Sequence, residues 1–353
     1  MSKPKKNPLR SLLINAVLVG CALGLLGFTI WQNRTKIGEV LEQGVDPRYF
    51  AVAFLVYVLA LVLTFSRWYL LVKVVEPRFT LGAAFRLGFI GNVFNLVIPG
   101  AVGGDFIKAA YLVRMDINRT QAVASMVIDR ILGLLGLFVL AGVAGLFAWP
   151  MAVPQVRLLI GIVWAAVAAG LLVLFAIFNQ SLTRNFPALL EGHGRIAGIL
   201  RELRVMSETY RRRLDLVAGV LVASSGIHCL FVVAFYIVSR AIFPSLVPGF
   251  GQHLLIVPLT LFTTAVPLPF GALGLSEQVG AQLFKMVDHP GGALAMMGFR
   301  VLMYAGGLVS VLVYLANIKQ IRALTETADE LKKELSDDTL EEHQNDPTRD
   351  VVV

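Results

Sequence analysis

Six ionisable side chains sit in or beside apolar runs that would penalise them: Asp105, Lys108, Asp129, Arg130, Glu277 and Arg300. Charge at membrane depth is costly, and it marks a ligand or ion pathway with a partner of opposite sign nearby. Lys108, Arg130 and Arg300 can offer charge to a phosphate. Asp105, Asp129 and Glu277 can balance that charge or contact an amine. Ion pairs that only fix helix register are the competing reading. Adjacent helical residues point about 100° apart, so Asp129 and Arg130 need different partners. The expected pairs are Asp129 with Lys108 or Arg86, and Glu277 with Arg300.

Two of the carboxylates follow breaks in the apolar pattern. IPGAVGGD at 98–105 and LPFGALGLSE at 268–277 share a proline, two spaced glycines and a carboxylate. Pro99, Gly100, Gly103 and Asp105 correspond to Pro269, Gly271, Gly274 and Glu277. Unwinding a helix in lipid strands backbone N–H and C=O groups unless protein, water or ligand satisfies them. Glycine lets backbone approach a ligand closely, and a helix N-terminus favours an anionic group. A new helix is expected after Gly104, with Asp105 as its N-cap and Lys108 one turn on, on the same face. A purely structural hairpin is the alternative.

The elements that must position these residues are membrane helices. The chain has 353 residues, 57% hydrophobic and 15% charged, with a mean hydropathy of +0.74. A soluble domain could not hide that much apolar surface. Runs at about 12–31, 50–72, 120–148, 156–178, 216–243 and 292–317 are each long enough to cross as a helix. The regions 82–112 and 252–288 are the broken ones. The expectation is therefore an all-α polytopic membrane protein with about six full transmembrane helices. Two Pro/Gly-broken re-entrant hairpins add to these in an inverted repeat, giving seven or eight spans if the hairpins cross. Paired broken elements of opposite orientation point to a transporter site near the midplane.

Charge sets the expected sides. Lys3, Lys5, Lys6 and Arg10 precede the first run, and Lys73, Arg78, Arg86, Arg114 and Arg119 flank the first break. These flanks read as cytoplasmic, and so does the arginine-rich stretch at 179–215. The flanks of the second break hold neither lysine nor arginine and read as outer, with Lys285 close by. Both termini are expected in the cytoplasm of a bacterial-type inner membrane. The net charge of +8 conceals a tail from Lys319 with ten acids against five bases. Elsewhere bases outnumber acids two to one and lie beside apolar runs, which fits anionic lipid rather than nucleic acid.

Other residues carry less. Arg67, beside Trp68 and Tyr69, reads as snorkelling to the interface, and His228 as a packing histidine rather than a relay. Arg195, Arg201, Arg204 and Arg211 interleave with apolar residues as a surface amphipathic helix. Residues 1–320 form one expected transmembrane domain. An acidic tail follows at 321–353, a short helix and then a disordered end. Cys21 and Cys229 fit neither a disulfide nor a zinc pattern. LVGC at 18–21 resembles a lipoprotein cleavage site, but the apolar run continues to Trp31, as in an uncleaved helix.

NLVIPGAVGGDFIKAAYL, VIDRILGL, PLPFGALGLSE and the FR at 299–300, in that order, resemble the flippase-like family. Its best-known member is the membrane domain of lysylphosphatidylglycerol synthases. The resemblance implies a bundle that moves a polar-headgroup lipid between leaflets. It carries function onto Pro99, Gly103, Gly104, Asp105, Asp129, Arg130, Pro269, Gly271, Gly274, Glu277 and Arg300. Lys108 departs from an arginine usual in the family, and Ala272 from a common glycine. Nothing after Leu315 resembles the soluble aminoacyl-transfer domain, so translocation is expected without lipid aminoacylation.

The expected ligand is a membrane phospholipid with an anionic or aminoacylated headgroup, with no cofactor, metal or nucleic acid. A homo-oligomer or a soluble enzyme partner is possible. GAVGGD is neither a P-loop nor a dinucleotide fingerprint, and no paired-carboxylate or His-Asp constellation occurs in a loop. Transport therefore leads, ahead of a lipid-linked transferase or a membrane partner of a separate synthase.

Overall fold

The computed structural model describes residues 8–97, 103–179, 204–205, 207–244, 247–265 and 269–318. Among them every regular element is helical: α1 (Pro8–Gln43), α2 (Pro47–Val75), α3 (Leu81–Val97), α4 (Gly103–Arg114), α5 (Arg119–Ala148), α6 (Pro154–Phe178), α7 (Leu214–Ile242), α8 (Phe250–Phe262), α9 (Leu275–Lys285) and α10 (Gly292–Ala316). Local chemistry sets several starts. Asp46 accepts the Arg48 N–H at 2.8 Å ahead of Pro47, and Asn118 accepts the Thr120 N–H at 2.9 Å. Each side chain satisfies an orphan donor of a first turn.

Five segments are long and apolar enough to cross a bilayer: α2, α5, α6, Ser207–Ile242 and α10. The expected run 12–31 lies within α1, whose 36 residues extend for about 54 Å. The protein is thus a polytopic membrane protein. Both broken regions are helical hairpins. Phe79, just before α3, lies 6.4 Å from Tyr111 near the end of α4, and Arg86 stacks over the same ring. In the second hairpin His253, near the start of α8, meets Phe284 near the end of α9. Legs of 12, 13 and 11 residues (α4, α8 and α9) fall short of the roughly 20 a crossing needs.

The chain is built twice. In each half come two long helices, a hairpin and a third long helix: α1, α2, α3/α4, α5, then α6, α7, α8/α9, α10. With α1 crossing beside α2 and α5, as its apolar run leads one to expect, each half has three crossings and the second copy starts from the opposite face. The second helices of the two halves, α2 and α7, pack most extensively on each other. The hairpins are exchanged between halves: α3 lies on α10, and α8 lies on α5. α1 leans on α9 and α10, and α6 on α5.

Segments expected on one side come together. Val74 at the end of α2 shares a surface pocket with Asn118 and Glu208. At the other end Lys36 donates to the Pro290 carbonyl at 2.9 Å, joining α1 to the α9–α10 turn. Between the ends, Tyr57, Phe235, Phe284 and Phe299 form the aromatic centre of the largest core cluster.

Candidate functional site

The first break delivers a carboxylate. Asp105 is the third residue of α4, not its N-cap. The Gly104 N–H goes instead to the Asn95 side-chain oxygen at 2.9 Å, which leaves the Asp105 carboxylate to cations. Its Oδ2 accepts from Arg130 Nε at 2.5 Å, and its Oδ1 lies 3.8 Å from Lys108 Nζ one turn along, as the spacing required. Lys108 also sits 4.9 Å from the centre of the Trp68 ring, where the ring face attracts an ammonium. Gly104 makes this approach possible: a Cβ there would come within 2.3 Å of the Gly91 carbonyl oxygen. Gly103 opens α4 and is buried with it.

Asp129 has a different partner from those expected. Arg67 grips it in a fork, Nε to Oδ1 at 2.9 Å and Nη2 to Oδ2 at 3.0 Å, and donates through Nη1 to Ser224 at 3.1 Å. Neither Lys108 nor Arg86 takes that place. Arg67 therefore does not snorkel; it is 7% exposed. The cause is the packing of α2 between α5 and α7, which closes the route to the interface and supplies Asp129 and Ser224. Gly133 makes the room, since a Cβ there would lie 3.1 Å from both terminal guanidinium nitrogens.

These groups wall a cavity of about 390 Å³. Arg67, Asn95, Asp105, Lys108, Asp129 and Arg130 form its polar side. Leu61, Leu134, Leu137, Phe231, Phe262 and Met303 form its apolar side. Leu261, Phe262, Thr264 and Ala265, just before the second break, are all on its wall, so both broken regions meet here. Three cations face two carboxylates, an excess of one positive charge. His228 lines the cavity as well, its Nε2 3.1 Å from the Gly133 carbonyl. A carbonyl only accepts, so that nitrogen carries the proton.

The second cluster is closed. Glu277 is the third residue of α9, and its Oε2 accepts the Gly274 N–H at 2.7 Å. Arg300 Nε donates to Glu277 Oε1, as expected from sequence. Nη1 donates to the Phe270 carbonyl at 2.7 Å, and Nη2 to the Ser276 hydroxyl. Arg300 and Glu277 are 5% and 0% exposed and do not line the cavity. Gly274 has φ +84° and packs so tightly on α1 that a Cβ would lie 2.4 Å from Leu25 Cβ. Gly271, at φ +65°, sits in the turn Pro269–Ala272. Pro99 lies outside the described residues, as do most of the 195–211 stretch and the tail from Lys319.

Residues 13–326 match the lysylphosphatidylglycerol synthase TM region. The chain belongs to that family. Both ion-pair clusters and both hairpins fall inside the matched region, so the lysylphosphatidylglycerol synthase TM fold is the frame that holds them. A UPF0104 membrane protein of Methanothermobacter thermautotrophicus is 24% identical over 305 residues, covering 78% of this chain and 84% of that protein. No solved structure matches. Among the lining residues that sequence reasoning left out of the site are Arg67, Asn95 and His228. A cation twenty residues into a 29-residue span was the available signal for Arg67, and its aromatic neighbours obscured it.

Proposed function

We propose that this chain translocates a polar-headgroup phospholipid between leaflets, acting as a transporter rather than an enzyme. One observation carries the reading: a single cavity, where the two hairpins meet, joins a charged wall with one excess positive charge to an apolar wall. A phospholipid has that division of chemistry. Its phosphate competes with Asp105 for Lys108 and Arg130, forming charge-assisted hydrogen bonds. Its acyl chains lie along Leu134, Leu137 and Phe262. Arg67 neutralises Asp129, so the excess charge resides near Lys108 and Arg130, which favours an anionic headgroup. A carboxylate beside them also suits the amine of an aminoacylated headgroup.

The test is transbilayer exchange of fluorescent lipids with varied headgroups, in proteoliposomes of the full chain. Exchange that is fastest for anionic lipids and lost in Asp105→Asn is expected. Full exchange by Asp105→Asn and Lys108→Gln would remove this site. Absence of exchange for every headgroup, with folded protein, would remove the translocation reading.

A further inference from the structure

The cavity wall holds a basic group that headgroup binding does not use. His228 follows Ser224 by one turn of α7, and its half-buried ring lies on the wall. Its Nε2–H is committed to the Gly133 carbonyl, which leaves the lone pair on Nδ1. No donor meets Nδ1 among the described residues, and Nδ1 is not sealed in the core, unlike both ring nitrogens of His289. An imidazole in that state is a proton acceptor.

Charges face it from several helices. From α2 comes Arg67, which donates to Ser224 and lies over Gly133 beside the imidazole. α5 presents Asp129 and Arg130, and α4 presents Asp105 and Lys108. The Tyr57 phenol of α2 also lines the cavity, and Cys229 is the next residue on α7. On α8, His253 is buried against Ser239; on α10, Arg300 is sealed with Glu277 and Tyr304 is off the wall. Both carboxylates of the cavity are engaged by cations, Asp129 by Arg67 and Asp105 by Arg130 and Lys108. An arriving proton finds its open acceptor at Nδ1.

The charge balance gives that proton a role. With three cations and two carboxylates, the empty cavity carries one excess positive charge. A phosphodiester brings the sum to zero, and a proton on Nδ1 restores it. The empty and doubly loaded states then carry equal charge, so the membrane potential acts equally on the loaded and return steps. A nearby anion favours the imidazolium, and by linkage the imidazolium favours the anion by the same factor.

We propose that His228 is the proton site of an electroneutral symport, in which a single proton crosses with each anionic headgroup. The proton leaves water on one side, adds to the Nδ1 lone pair, and returns to water on the other side as the headgroup departs. No covalent bond of the lipid changes. The proposal rests on the translocation reading and supplies its driving force, a pH gradient.

The experiment places the full chain in phosphatidylcholine vesicles with a trace of acyl-labelled phosphatidylglycerol, and reads the final share of label in each leaflet by quenching from outside. With the potential clamped, a gradient of one pH unit should leave about tenfold more label on the alkaline side, since one unit is worth about 1.4 kcal/mol per proton. That ratio is an equilibrium quantity, independent of rate and of the orientation of the protein. A potassium diffusion potential at equal pH should leave the label evenly shared. His228→Gln, whose amide nitrogen can still donate to Gly133, should give a ratio of about one under the pH gradient, the loss of that tenfold bias. An even ratio in the native chain would overturn the symport, as would a ratio set by the potential; a full bias in His228→Gln would overturn the assignment to His228. Proton uptake is a second readout, for a variant too slow to equilibrate. Phosphatidylglycerol added to the native chain in weakly buffered detergent should draw protons from solution, read by a pH dye, and should not do so with His228→Gln. Equal uptake by both would overturn the site. Exchange at an even ratio removes the proton and keeps translocation. No exchange by the folded native chain removes translocation and the symport with it, and uptake would then mark a binding site alone.

Discussion

At the scale of single residues, the buried fork between Arg67 and Asp129 makes a sharp prediction. Arg67→Ala strands a carboxylate that is 14% exposed, and breaking such a pair costs about 3–5 kcal/mol. The double variant with Asp129→Asn should recover much of the loss in thermal unfolding in detergent. Additive losses would show that the two side chains do not act as a pair. His289, in the α9–α10 turn, gives a pH dependence. It is buried against Phe243 and Phe284, with no partner for either ring nitrogen among the described residues. Burial, and then the Lys36 ammonium, hold its pKa below the ordinary 6.5. The unfolded chain therefore binds the proton more readily, so the stability from neutral His289 is complete above about pH 6.5 and lost as pH falls. The melting temperature should drop between about pH 7 and about pH 5, and His289→Phe should reduce that drop.

At the scale of elements, close backbone approach holds the hairpins. Gly104→Ala drives a methyl into the Gly91 carbonyl, and with backbone on both sides no rotamer relieves it. A loss of about 1–3 kcal/mol in thermal unfolding is expected, as for overpacking. Gly219→Ala is the contrast, because a Cβ there meets nothing within 4 Å; it should be neutral or slightly stabilising, by helix propensity. Equal effects would mean that the α3–α4 contact does not support the first hairpin. Helix existence and the places of the breaks were legible, since apolar run length and Pro/Gly interruptions are local signals. The role of Asp105 was less so. It has the chemistry of an N-cap, and only Asn95, reaching over from α3, released it for Arg130.

For the whole molecule, α1 is expected to cross alongside the five long apolar segments, an even total that puts both termini on one face. Reporter fusions at the two ends should therefore agree. Single cysteines at Lys36 and Pro290, which touch in the structure, should be labelled from the opposite side. By the excess of basic residues the termini are predicted to be cytoplasmic. Termini reporting opposite faces would exclude the two-halves architecture as a membrane topology.

By itself, the sequence determined that this is a polytopic helical membrane protein with two broken hairpins in related halves, and that Glu277 pairs with Arg300. Those features rest on composition, run length, and a carboxylate and an arginine placed to meet in the same half. Only the tertiary structure decided which charges face the cavity and which are sealed. Arg67 reaches Asp129 because α2 lies between α5 and α7, and each hairpin packs against the last helix of the other half. Such contacts join residues far apart in the chain. Side-chain type marks a charge as needing a partner, but helix packing chooses the partner.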